Sequence, residues 1–160
     1  MTDSNPRVAV VGTGRWGRNL VRTFGSLGTL RAVCDSEMSS LDALQTEPGV
    51  KRHSRIEDCL EDPGITALAI ATPAATHFKL ARTALRAGRD VFVEKPLALE
   101  VAQGRELVQL AQEHQRVLMV GHILRHHPAV GRLGEMVEAG DLGRIEYVYS
   151  NRLNIGRLRT

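Results

Sequence analysis

Cysteine is scarce here. Cys34 and Cys59 are the only two, too few for a disulfide framework. Cys34 falls within an apolar strand pattern and Cys59 within a short helical one, so both are expected as reduced packing residues. Aromatic residues make up 4% of the 160 residues, and they are nowhere interleaved with a run of basic residues. The formal net charge of +3 is spread, with Lys, Arg, Asp and Glu mixed along the chain. That pattern excludes a nucleic-acid partner. No window approaches the apolar length of a membrane span, and Met1 to Arg7 is short and polar, unlike a signal segment. A membrane partner is therefore excluded, and a cytoplasmic protein is expected. Internal repeats and low-complexity tracts are also missing.

Glycine, by contrast, is plentiful, at 15 residues. Three of them stand at G-x-G-x-x-G spacing in Val8-Ala9-Val10-Val11-Gly12-Thr13-Gly14-Arg15-Trp16-Gly17. An apolar strand precedes them and a helical pattern, Arg15 to Leu27, follows. That is the context of the phosphate-binding turn of a dinucleotide-binding βαβ unit. Gly12 permits the tight turn, Gly14 lets a pyrophosphate approach the backbone, and Gly17 lets the helix pack on the strand. Free N–H groups at the helix start then face the phosphates. Thr13, Arg15 and Trp16 share that turn. Trp16, with Leu20, Phe24 and Leu27 at helical spacing, is expected in the core, and covering the pyrophosphate is its alternative role.

The chain goes on in alternating strand and helix patterns. Leu30 to Cys34 is a strand with Asp35 at its tip. Glu37 to Thr46 reads as a helix, and Lys51 to His53 as a short strand. Ser54-Arg55-Ile56-Glu57 has the S-x-x-E form of a capping box opening a helix through Leu60. Ile65 to Ala71 is a nearly unbroken apolar run, expected for a central parallel strand covered on both faces. Thr72 then reads as an N-cap and Pro73 as the first position of a helix to Ala87. Val91 to Val93 is a strand delivering Glu94-Lys95-Pro96. A helix from Ala98 to His114, a buried strand from Val117 to Val120 ending at Gly121-His122, and a helix from Pro128 to Ala139 follow. Ile145 to Tyr149 alternates as no earlier strand does, and so begins a different sheet. The fold class is α/β: a doubly wound parallel sheet over residues 1–122, then the start of a second, α+β domain over 123–160.

Ligands of such sheets bind beyond the carboxyl ends of the strands. Gly12, Asp35, Thr72, Glu94-Lys95 and Gly121-His122 should line one crevice. Asp35 can accept the ribose hydroxyls of adenosine and would repel a 2′-phosphate, which favours NAD over NADP; a helix N-cap is its alternative role. Lys95 projects from a strand end rigidified by proline. It can hold a sugar hydroxyl and stabilise the alkoxide that precedes hydride loss, or else be a solvent-facing lysine. His122 and Arg125 are candidates for substrate contact. His122 and His126 have i, i+4 spacing, but no E-x-x-H pattern supports a metal, and none is expected. His77, one turn into its helix, is either a cofactor contact or a packing residue.

Taken together, the glycine turn, Ala71-Thr72-Pro73 with His77, Glu94-Lys95-Pro96-Leu97, and Gly121-His122 with Arg125 and Pro128 resemble the glucose-fructose oxidoreductase / inositol dehydrogenase / MocA family. The resemblance implies a Rossmann fold and an oxidoreductase that uses NAD or NADP on a carbon of a sugar or cyclitol. It implies cofactor contacts along Gly12 to Gly17 and at Asp35, Thr72, Pro73, His77, Glu94 and Lys95. Lys95 would lie between substrate and nicotinamide. The stretch from Gly121 to Ala129, with Tyr149-Ser150-Asn151-Arg152 and on to Gly156, is similar to the branch that oxidises C3 of UDP-N-acetylglucosamine or its uronic acid, for bacterial surface polysaccharides. It adds Asn151 and Arg152 to the substrate contacts.

Family members are longer. They carry an Asp-x-x-x-His type pair at the substrate and a large open-faced sheet that forms homo-oligomer contacts. Such a pair is absent from these 160 residues. The chain by itself is therefore expected to bind NAD and turn over weakly or not at all. The alternative is a non-catalytic NAD-binding module, or half of a split enzyme.

Overall fold

The computed structural model describes residues 5–151. The chain divides into two compact units, Met1–His122 and Ile123–Thr160.

In the first unit, six parallel strands alternate with helices: β1 (Val8–Val11), α1 (Gly17–Ser26), β2 (Leu30–Cys34), α2 (Met38–Asp42), β3 (Lys51–His53), α3 (Ile56–Glu61), β4 (Ala67–Ile70), α4 (Ala74–Arg86), β5 (Asp90–Val93), α5 (Val101–Glu113) and β6 (Leu118–Val120). The strand order is β3-β2-β1-β4-β5-β6, and every neighbouring pair is parallel. The order reverses between β1 and β4, where the two halves of a doubly wound sheet meet.

Strand geometry explains the two cores. Successive side chains point to opposite faces. Ala9 and Val11 of β1 pack with Cys34, Leu68, Ile70, Leu85 and Leu107, on the side of α3, α4 and α5. Val8 and Val10 pack with Val33, Ala69, Val21, Leu41 and Leu44, on the side of α1 and α2. All four β1 residues are buried, and each buried valine contributes roughly 1.5–3 kcal/mol relative to exposure. Cys34 and Cys59 are free and buried, as expected. Contact with the Cys34 sulfur, together with burial, pushes the Cys59 thiol well above its ordinary range.

Register places the site. Cys34 pairs with His53 and with Val11, Val11 with Ile70, Ile70 with Val93, and Val93 with Val120, so these strand ends form one row. One residue further on, the ladder continues as single bonds. Asp35 N–H donates to His53 O (3.1 Å), Gly12 to Cys34 O (2.8 Å), Ala71 to Val11 O (2.8 Å), Glu94 to Ile70 O (2.9 Å) and Gly121 to Val93 O (2.9 Å).

Several expected boundaries move. Helix α2 ends at Asp42 instead of Thr46, where an i to i+3 bond from Leu44 N–H to Leu41 O closes the turn. The Ser54 capping box does not form. Arg55 is the N-cap of α3 and no side chain caps it. Thr72 is not the N-cap of α4 either. Pro73 holds that place with extended backbone (φ −59°, ψ 141°), and the helix opens at Ala74. Helix α5 begins at Val101, three residues after Ala98. Strand β6 is not the buried strand the apolar run suggests, because it has a single neighbour, β5, and Val117 and Met119 are exposed.

In the second unit, a 3₁₀ turn (Ile123–His126) leads into α6 (Pro128–Glu138). His127 is the N-cap and accepts from Ala129 N–H, with proline in the first turn. Ile145 to Tyr149 forms no strand, and Tyr147, Val148 and Tyr149 are exposed. A strand needs a partner ladder to satisfy its backbone, and no described residue pairs with this segment. Among the described residues no helix is long and apolar enough to cross a membrane.

Candidate functional site

The turn after β1 is built around two tight glycines. Gly12 has φ +89°, in the left-handed region. A β-carbon there would meet Ala71 C, Thr72 N and Thr72 Cγ2, all at 2.8 Å. At Gly17 a β-carbon would lie 1.8 Å from Gly12 O. Gly14 is the opposite case, because a β-carbon would meet nothing within 4 Å. The open space in front of Gly14 is the approach a pyrophosphate needs. Among the described residues, the amides of Gly14, Arg15 and Trp16 carry no hydrogen bond and remain as donors for an anion.

Thr13 behaves otherwise. It is wholly buried, and both of its donors point at one carboxylate oxygen. Its N–H and Oγ1 lie 2.7 and 2.8 Å from Asp35 Oδ2. Asp35 Oδ1 accepts from Glu37 N–H at 3.0 Å. Burial pushes the Asp35 carboxyl up, but the bonds from Thr13 and Glu37 outweigh it and hold the group below its ordinary 3.8. A carboxylate has about four acceptor positions. One remains on Oδ1, so Asp35 has room for one ribose hydroxyl with these bonds intact, instead of both.

A cleft of about 780 Å³ runs between the glycine turn, Asp35 and the face of α4. Gly12, Gly14, Asp35, Thr72 and Pro73 line it as the sequence suggests. Sequence reasoning missed Ser36, Ser40, Ser54, Ile56, Thr76, Lys79, Leu80 and Thr83, which also line it. The α4 members had a signal: Thr76, Lys79, Leu80 and Thr83 recur at helical spacing after Thr72 at the strand tip. Thr72 Oγ1 lies 2.7 Å from Thr76 Oγ1, so this edge of the cleft is ordered by hydroxyls.

Two side chains fall elsewhere than expected. Trp16 is not in the core. It is 45% exposed, and its indole Nε1–H donates to Glu94 Oε1. Glycine turn and β5 tip are thereby joined across the crevice. His77 does not face the cleft. It is 1% exposed, with Nδ1 2.7 Å from Pro96 O and Nε2 2.9 Å from Thr72 O. Both ring nitrogens are occupied by the two loops that follow β4 and β5.

Those contacts shape the Glu94-Lys95-Pro96 loop. Glu94 N–H is tied to Ile70, its carboxylate to Trp16, and Pro96 O to His77. A β-carbon at Gly121 would come within 3.0 Å of Glu94 Oε1, so glycine at the β6 tip makes room for that carboxylate. Lys95 itself is exposed. His122 stands exposed at the β6 tip. Arg125 and Asn151 are exposed in the second unit, and Arg152 lies outside the described residues. No group of three or more His, Cys, Asp or Glu with metal-binding geometry occurs among the described residues.

The open space at Gly14, the free amides beside it and the carboxylate at the β2 tip fit a dinucleotide cofactor. Comparison with known proteins agrees. The chain is 29% identical over 147 residues to a UDP-N-acetylglucosamine 3-dehydrogenase of Acidithiobacillus ferrooxidans, covering 92% of this chain and 45% of that protein. It is 32% identical over 146 residues to an NAD-dependent scyllo-inositol 2-dehydrogenase of Bacillus subtilis, covering 88% and 42%. The crystal structure of a WlbA dehydrogenase from Bordetella pertussis in complex with NADH and UDP-GlcNAcA superimposes with a TM-score of 0.80 at 29% identity, over 88% of this chain and 44% of that one. The chain thus spans under half the length of these relatives. Residues 6–122 match the oxidoreductase family with an NAD-binding Rossmann fold, and the chain belongs to that Gfo/Idh/MocA family.

Proposed function

We propose that this chain supplies the cofactor half of an NAD-dependent sugar dehydrogenase, and that the hydride comes from C3 of a UDP-N-acetyl sugar. The observation that carries the dehydrogenase reading is the anchoring of the Glu94-Lys95-Pro96 loop. Three neighbours hold it, through Ile70 O, the Trp16 indole and His77 Nδ1, while Lys95 between them is left exposed. A lysine on so fixed a backbone suits positioning work better than a solvated surface role does. The UDP-sugar assignment has separate support, from the names of two relatives and the motifs around Gly121 to Ala129.

Bound NAD supplies the hydride acceptor. The chain's own residues do the rest. The amides of Gly14 to Trp16, at the start of α1, offer donors to the diphosphate. Asp35 takes a ribose hydroxyl through Oδ1. The Lys95 ammonium has three donors and no acceptor. It orients the reacting hydroxyl and stabilises the negative charge that grows on its oxygen as the proton leaves. His122, Arg125, Asn151 and Arg152 are the proposed substrate contacts, the diphosphate and carboxylate of a nucleotide sugar suiting the two arginines. With no proton acceptor assigned among these contacts, the 160-residue chain is expected to turn over weakly or not at all.

The test is a calorimetric titration of the chain with NAD, followed by assays for NADH production with UDP-N-acetylglucosamine and with myo-inositol. Saturable NAD binding with little or no turnover is expected. Brisk turnover by this chain on its own would refute the claim that it lacks the proton acceptor, and its loss in Lys95→Ala would then assign the chemistry. A folded chain that does not bind NAD would refute the cofactor reading of the cleft.

A further inference from the structure

The Thr13–Asp35 contact does more than close a turn. Asp35 stands at a strand tip with two free side-chain torsions. An untethered carboxylate there could swing away from an incoming 2′-phosphate, and its negative charge would then discriminate poorly. Thr13 removes that freedom, because both of its donors converge on a single oxygen, Oδ2, at 2.7 and 2.8 Å. The other oxygen, Oδ1, takes Glu37 N–H at 3.0 Å and has one acceptor position left, on a residue that lines the cleft. Thr13 is wholly buried, so its hydroxyl reaches no cofactor. Whatever it does for recognition, it does through Asp35.

We propose that Thr13 is a specificity-positioning residue. By fixing the orientation of the Asp35 carboxylate at the ribose end of the cleft, it sets the discrimination between NAD and NADP jointly with Asp35. The inference rests on the cofactor reading of the cleft. It adds that the second residue of the glycine turn, usually counted toward the phosphates, is committed to the ribose end. Its N–H is already bonded to Asp35 and is not among the amides left for the diphosphate. Valine is close to threonine in shape and keeps the N–H bond, so Thr13→Val deletes the hydroxyl bond alone.

The experiment measures dissociation constants for NAD and NADP, at one pH and salt concentration, for the unchanged chain, Thr13→Ser, Thr13→Val, Asp35→Asn and the double variant. Circular dichroism confirms the fold of each, and Thr13→Ala replaces Thr13→Val should the latter not fold. The unchanged chain is expected to prefer NAD. Thr13→Val should narrow the NADP/NAD ratio about fivefold or more, as expected for loss of a hydrogen bond to a charged group. Thr13→Ser, which keeps the hydroxyl, should hold the ratio within about twofold. In the Asp35→Asn background, Thr13→Val should leave the ratio where Asp35→Asn alone puts it, because Thr13 acts through that carboxylate. An unchanged ratio in folded Thr13→Val overturns the inference while leaving the cofactor reading intact. So does an equal effect of Thr13→Val in the Asp35→Asn background, which would mark a merely structural role. A chain that binds neither dinucleotide overturns both.

Discussion

Gly17→Ala sets two effects against each other, and the structure decides which wins. Gly17 opens α1 with ordinary helical backbone, so alanine gains there: its helix propensity is better than glycine's by about 1 kcal/mol, and it has less unfolded-state entropy to lose. Against this stands the β-carbon, 1.8 Å from Gly12 O, 2.8 Å from Gly12 C and 3.6 Å from Ala71 Cβ. An ordinary carbon-to-oxygen approach is about 3.4 Å, so α1 or the turn must retreat by roughly 1.6 Å. The obstacle is backbone and cannot rotate aside. A retreat of that size pulls Val21, Leu20 and Phe24 off the β1 and β2 side chains they cover. Overpacking costs about 1–3 kcal/mol, and a backbone clash belongs at the upper end. Net of the helix gain, the variant should lose about 2 kcal/mol, a fall of about 4–8 °C in Tm for a domain of this size.

Gly14→Ala is the control, since its β-carbon meets nothing within 4 Å. Its stability should stay within about 0.5 kcal/mol of the parent, while its NAD affinity falls about tenfold or more because the methyl stands in the path of the pyrophosphate. Urea or thermal unfolding reads the first effect and calorimetry the second. A Gly17→Ala chain as stable as the parent, or a Gly14→Ala chain that loses stability in place of affinity, would refute the reasoning.

Two further expectations concern the buried ties. His77→Phe removes the ring that bridges Thr72 O and Pro96 O; a neutral imidazole donates a single N–H, so the loss is that of one part-buried hydrogen bond, about 0.5–1.5 kcal/mol. Its urea midpoint should fall clearly, with partial recovery in His77→Gln, whose amide keeps donors; equal midpoints for all three chains would contradict the assigned bonds. Asp35 ionises below its ordinary 3.8 in the folded chain, so its contribution to stability is present above that value and is lost as pH falls through the lower folded pKa. The stability gap between the parent and Asp35→Asn, followed by urea unfolding from about pH 6 downward, should therefore narrow on the acid side. A gap that widens there would contradict the sign.

Much of the fold was legible because the features that build it are local. Four-residue apolar runs covered on both faces, such as Val8–Val11, allow few readings when turn signals bound them and a helical pattern follows. The glycine turn was legible for the same reason, each glycine having a distinct backbone task. Errors gathered where a neighbour decides. Trp16 fits the helical stripe of α1, yet it leaves the core because Glu94, 78 residues away, offers its indole a partner at the β5 tip. Ser54-x-x-Glu57 has the form of a capping box, but the helix starts at Ile56 and leaves Ser54 to line the cleft. Ile145 to Tyr149 alternates like a strand, and alternation states only which faces would differ were a partner strand beside it.

Three site residues that the structure places otherwise than the sequence suggests are held by long-range bonds that no spacing encodes. Thr13 binds Asp35 across 22 positions, Trp16 binds Glu94 across 78, and His77 ties Pro96 to Thr72. Parallel register makes these meetings possible, because it brings Cys34, Val11, Ile70, Val93 and Val120 level and releases each loop at the same height. Side chains then join the β1 loop to the β2 and β5 tips, and the β4 loop to the β5 loop, before any cofactor arrives. Loops bound in this way have little freedom left to lose when a dinucleotide enters, and binding gains affinity by the ordering it need not do. It follows that cutting a tie should weaken NAD binding even where the severed residue, like Thr13 or His77, is too deeply buried to touch it.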